Sequence, residues 1–189
     1  MNEDNLLTTL SVSFDVEQIS PKLNWAFHSP IDNPSLASKP VPGPYAGSIY
    51  FNQGEILMLH VIGSGSKLSN FSSFQIVDCC ITTRPQVVYA ENPSRPKYAP
   101  PSPFLQAIGA TYPLNLDFSS HLEKELLGST RRRISQRWKD TLNVGHTAGR
   151  WDLSFNVTVR IFRGPSEAPE LRVFYFDPES EVGDGTFPT

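Results

Sequence analysis

Cysteine is nearly missing from this chain of 189 residues: it has two, Cys79 and Cys80, and they are adjacent. Neighbours along a strand point to opposite faces, so an ordinary disulfide between them would be strained. A disulfide-stapled scaffold is thereby excluded, and the pair reads as two small buried hydrophobes, with a vicinal redox pair as the alternative. Charge is sparse too, at 19% against roughly 25% in ordinary soluble domains. The net charge of −3 and pI of about 5.8 argue against nucleic acid as a partner. Long apolar runs are missing. The best, residues 56–62, is interrupted by His60 and falls far short of the roughly 18 residues of a membrane helix. No membrane partner is expected. The N-terminus opens with acids and lacks the cationic start and apolar core of a signal peptide. A reducing cytoplasm is the expected location. The sequons at Asn70 and Asn156 carry little meaning without a secretion signal.

What is present is a period of two. Leu10, Val12, Phe14 and Val16 alternate with Ser11, Ser13 and Asp15, the mark of a half-buried strand. Residues 153–161 repeat this more cleanly, with Leu153, Phe155, Val157, Val159 and Ile161 on one side. Residues 55–63 and 72–83 are near-continuous apolar runs that suit central strands covered on both faces, and 171–176 is a last strand. Shorter strand candidates are 48–51, 86–89, 104–110 and 134–142. The spacing of turn signals predicts an all-β fold: a single antiparallel β-sandwich of jelly-roll type spanning 1–189 as one domain. At this length no metal is needed to stabilise the core. Gly63-Ser-Gly65-Ser66 reads as a loop between strands, and residues 143–149 as a hairpin joining the Trp138 and Trp151 strands. Pro-rich stretches at 29–44 and 92–103 must be surface loops or edges, since proline cannot donate to a ladder. One short helix is predicted at 120–128, where Ser120 and Glu123 have capping-box spacing and Leu122, Leu126 and Leu127 form an apolar face.

Catalytic constellations are absent from the sequence. None of His28, His60, His121 and His146 has a partner at a recognised metal-ligand spacing; His28 near Asp32 is the nearest approach. His60, inside an apolar strand, reads as a satisfied core histidine. The Gly63 segment lacks the strand-turn-helix setting of a serine-nucleophile elbow, and Gly183-Asp-Gly185 has no helix after it to bind phosphate. No cofactor and no metal are expected.

Charge is unevenly placed. Arg131, Arg132, Arg133, Arg137 and Lys139 lie together without an acid, and this segment is a candidate partner-binding surface. From residue 165 onward six acids face only Arg172. The plainer reading is that the basic segment pairs with this acidic tail, within the chain or between subunits. Aromatic residues beside polar loops give a second lead. Trp25, with Asp32 and Asn33 near it in sequence, is a candidate sugar site, where a ring stacks on the apolar sugar face and polar groups take the hydroxyls. The alternative is that these rings only cover the rim of the core.

The order of segments is more specific than any one motif. The strand at 10–16 is followed by Asp32-Asn-Pro34, a Gly54-Glu55-led strand, and the apolar strand at 74–81. Late in the chain Trp151-Asp-Leu-Ser-Phe155 opens a strand, and Phe174-Tyr-Phe-Asp-Pro178 precedes a short acidic tail. Over some 150 residues this order resembles the AidA/PixA inclusion-body protein family. The resemblance implies a bacterial jelly-roll sandwich with no known catalytic residues, some of whose members resemble lectins. The expected function is therefore non-enzymatic: binding a glycan, or self-assembly into a homo-oligomer. Two alternatives remain open, an interaction module using the basic segment, and a jelly-roll enzyme whose metal or hydrolytic site is gathered from distant strands.

Overall fold

The structure, a computed structural model, describes residues 7–28, 49–88, 100–122 and 130–183. The described residues form β1 (Leu7–Asp15), β2 (Asn24–His28), β3 (Ile49–Asn52), β4 (Ile56–Ser66), β5 (Ser73–Val88) and β6 (Thr111–Pro113). The later strands are β7 (Phe118–Leu122), β8 (Arg131–Trp138), β9 (Leu142–Asn143), β10 (Gly149–Phe162), β11 (Glu170–Phe176) and β12 (Glu179–Gly183). One sheet, sheet A, has the order β2-β1-β4-β8-β7, with β9 also on β4. Sheet B has the order β3-β12-β10-β5-β6, with β11 also on β10.

The inner faces share one hydrophobic cluster, so the expected all-β sandwich is what forms. Phe14 of β1 stacks on Phe174 of β11 at 4.6 Å and meets Phe74 of β5 edge-on at 5.2 Å. The predicted alternation holds through β1 and β10, where every second residue is buried. Pairing is antiparallel except for β1 with β4 and β3 with β12, two departures from an all-antiparallel jelly roll. Each parallel pair is separated in sequence by other strands, as a parallel connection requires.

Several expectations are corrected. No helix starts at Ser120: Ser120, His121 and Leu122 belong to β7, which pairs with β8, and 123–128 lie outside the described residues. The helical turn among the described residues is a 3-10 turn at Lys67–Ser69, capped by Ser66. The glycine segment at 63–66 is not a loop but the second half of β4. Residues 143–149 are not a hairpin; they carry the chain from β9 in sheet A to β10 in sheet B. Residues 104–110 form turns, not a strand, with a single bridge at Phe104. The Pro-rich 29–44 and most of 92–103 lie outside the described residues.

Candidate functional site

Strands β11 and β12 lie end to end along the same edge of β10, and Asp177-Pro178 is the step between them. The Leu153 N–H donates to the Pro178 carbonyl at 3.1 Å, which fixes this step against β10. Phe176 is buried, so alternation turns Asp177 outward. There the Ser154 hydroxyl of β10 donates to Asp177 Oδ1 at 2.5 Å. Asp152, two residues earlier on the same face, accepts from Gln86 Nε2. Arg84 and Thr82 of β5 lie in register with Asp152 and Ser154. Together these side chains border a shallow cavity of about 360 Å³.

A second cavity, of about 320 Å³, adjoins Asp177 and Pro178 and is lined by Lys22, Trp25 and Tyr175. The segment before β2 is held on the edge of β11: Leu23 N–H donates to Tyr175 O at 2.8 Å, and Tyr175 N–H to Pro21 O at 3.0 Å. This places Trp25, half-buried, 5.9 Å from the Phe176 ring and 5.6 Å from Phe27. Trp25 therefore both covers the core rim and lines the cavity. The two cavities share Asp177 and Pro178 in their linings, with aromatic residues lining one and polar residues the other. Two quoted sequence segments meet here, Trp151-Asp-Leu-Ser-Phe155 and Phe174-Tyr-Phe-Asp-Pro178. Asp152, Ser154, Tyr175 and Asp177 were not singled out as binding residues from sequence. Both segments stand out in the sequence by their order along the chain, but only strand pairing brings them together. Asp32 and Asn33 lie outside the described residues.

The basic segment is all strand up to Trp138. Arg131, Arg133 and Arg137 of β8 project outward, Arg132 alternates inward and donates to Phe71 O at 3.1 Å, and Lys139 follows the strand. Arg131 pairs with Asp15 and, at 3.9 Å, with Glu17; Lys139 pairs with Asp117 at 2.6 Å. Glu170 of the acidic stretch pairs instead with Arg163 at 3.2 Å and Arg172 at 3.8 Å. Thus the described ion pairs do not join the basic segment to the acidic tail. His60 is also corrected: it stands on the outer side of β4, where its Nε2 accepts from Arg137 Nε at 2.8 Å.

Cys79 faces the core and Cys80 the outer side of β5. Burial pushes the Cys79 thiol far up, with smaller contributions from Cys80 and Asp78. Burial also raises Cys80, and Asp78 adds to it, while a hydrogen bond with Asn156 pulls the other way. Among the described residues no three His, Cys, Asp or Glu gather where a metal ion could be held. Among them, too, no helix is long and apolar enough to cross a membrane.

Fold and cavities together define a two-sheet β-sandwich with adjoining aromatic and polar surface cavities. The chain is similar to the crystal structure of the inclusion body protein PixA from Burkholderia cenocepacia J2315. The two share 10% identity over 97% of this chain and 99% of that one, at a TM-score of 0.39. PixA belongs to the family that the order of short motifs resembles. No protein-family model matches the chain, and no curated protein matches it.

Proposed function

We propose that the protein is a non-enzymatic sugar-binding module that recognises its ligand in the two cavities that share Asp177. The observation that carries this reading is the shared position of Asp177, beside the Trp25 and Tyr175 rings on one side and Ser154 on the other. An aromatic ring offers a face to the apolar side of a sugar, and carboxylates and hydroxyls take its hydroxyl groups. A binding role is supported by the company Ser154 keeps. Its hydroxyl donates to the Asp177 carboxylate, and among the described residues no histidine lines that cavity, so the Ser-His pairing of a serine hydrolase is not found there among them. A cytoplasmic location belongs to the same proposal and rests on the two free, unpaired cysteines.

The test is a glycan array of neutral and amino sugars, probed with the wild type, Trp25→Ala and Asp177→Asn. The expected outcome is a wild-type signal for a small set of glycans that falls about tenfold or more in each variant. No wild-type signal above background at high protein concentration would sink the reading, as would a signal that both variants retain.

A further inference from the structure

We propose that the cavity beneath residues 100–107 is a separate binding site for a small neutral molecule with one ring and a hydrogen-bond acceptor. The cavity, of about 180 Å³, lies where residues 143–149 cross from sheet A to sheet B. Its walls are pinned from several sides. Trp151 of β10 donates its indole N–H to Pro100 O at 3.0 Å, and the Thr83 hydroxyl of β5 donates to Pro101 O at 2.7 Å. From the crossing segment, Gly145 N–H donates to Pro103 O at 2.8 Å, while Leu105 N–H donates to Asn143 O at 2.8 Å. Gln106 adds another tie, its Oε1 accepting the Asn143 N–H at 2.9 Å. The cavity is therefore preformed, and the Trp151 N–H is occupied by the wall rather than open to a ligand.

The lining decides the ligand. Pro100, Pro103, Phe104, Ala107 and the Trp151 ring give the cavity an apolar body. A space of this volume takes one ring with a small substituent. Among the described residues no Asp, Glu, Lys or Arg lines it, so an ionised ligand would lose hydration with no opposite charge in return. The polar groups are Ser102, Thr147 and, at the exposed rim, His146. Ser102 points to an acceptor. It is 5% exposed, its Oγ accepts the Phe104 N–H at 3.2 Å, and its own proton has no acceptor among the described residues. A buried hydroxyl proton left in that state is costly until an acceptor arrives. A carbonyl or hydroxyl oxygen attached to the ring supplies it. Leu105, 64% exposed, leans over Gly145 at the mouth: a Cβ on Gly145 would lie 3.3 Å from Leu105 Cδ2 and 3.4 Å from Pro103 O. A ring seated there covers this apolar lip.

The experiment titrates the intact protein with benzamide, benzyl alcohol, ethylbenzene, benzoate and benzylamine, followed by ligand-observed NMR. Benzamide and benzyl alcohol are expected to bind at least about tenfold more tightly than benzoate and benzylamine, which carry a similar ring with a charge. Ser102→Ala should weaken benzamide at least about fivefold and ethylbenzene, which has no acceptor, less than about twofold. Ala107→Leu should fill the cavity and weaken every neutral ring about tenfold or more. Should that variant misfold, Gly145→Val must weaken binding in the same direction. The proposal is overturned if the neutral rings fail to bind at millimolar concentration, or if the charged rings bind as tightly as they do. Binding retained in the filled cavity overturns it too, as does an equal loss of benzamide and ethylbenzene in Ser102→Ala. Trp25→Ala should leave this binding intact, so the result is independent of the sugar-binding reading.

Discussion

Gly63 and Gly65 sit at inward positions of β4, where the opposite sheet and the following turn leave no room for a side chain. A Cβ on Gly65 would lie 2.6 Å from Val16 Cγ2 and 2.8 Å from Phe71 Cβ. One on Gly63 would lie 2.9 Å from the Phe74 ring. The glycines therefore let the backbone of a central strand approach the aromatic core closely. Gly65→Ala is expected to destabilise the protein by about 1–3 kcal/mol through overpacking, measured by thermal or urea unfolding. An unchanged midpoint would mean that Phe71 can retreat at no cost. Gly54 has a different role: with φ of 73° it turns the chain into β4, and the buried Glu55 then accepts the Asn52 N–H at 2.8 Å. The two thiols make a further prediction at this scale. Both are raised by burial, so both stay protonated at neutral pH and lack the nucleophilic thiolate. Alkylation of the native protein should be slow, with Cys80 modified well before Cys79; peptide mapping that finds Cys79 first would contradict their assignment to the two faces.

At the scale of elements, the antiparallel pair β5–β10 is the spine of sheet B, paired from Ser73–Phe162 to Val88–Gly149 with register shifts at Arg150/Trp151 and Thr158/Val159. The period of two made β10 legible over 153–161, whereas β5 was read as two pieces, 72–83 and 86–89, the first as covered on both faces although only one of its faces is buried. Alternation also read β1 correctly. Besides β6 and the misread β7, other elements were hidden wholly or in part, each for its own reason. In β2, Asn24–His28, the half-buried Trp25 and Phe27 stand at the rim of the core, so the strand blurred into the loop after it. β8 was read only from Ile134 on, in the candidate 134–142, because its arginines masked an inward row of Arg132, Ile134, Gln136 and Trp138. Gln136 is buried yet polar because its Nε2 donates to Phe74 O at 2.5 Å, a link from sheet A to sheet B that no local pattern announces. The strand at Glu179–Gly183 read as acidic tail, since its pairing partners lie far away in sequence. The same separation hid the cavities. Ser154 and Asp177 are 23 residues apart, and only the common edge of β10 joins them.

For the whole molecule, the sequence charge of −3 resolves into regions that oppose each other: residues 131–139 carry +5, while residues 165–189 carry 1 − 6 = −5. The structure sets the first on sheet A and begins the second on sheet B, where Glu170 is met by Arg163 and Arg172. A molecule with cations on one face and acids near the other can meet a copy of itself head to tail, an arrangement that does not close into a ring unless the rotation allows it. Apolar exposure adds to this. Leu171 and Val173 are 59% and 56% exposed on β11, whose described pairing beyond β10 is a bridge from Lys22 to Tyr175. An edge strand with uncovered apolar side chains is a template for association. Self-assembly is therefore proposed beside sugar binding, with the second copy as the occupant of the β11 edge. Sedimentation velocity over a wide concentration range should show reversible growth in size that is abolished in Leu171→Lys with Val173→Lys. Both positions are surface sites, so the variant should keep the wild-type unfolding midpoint. A wild type that stays monomeric at the highest concentration defeats the proposal. Association that persists in the variant but dissolves in salt would move the contact from the β11 edge to the charged faces.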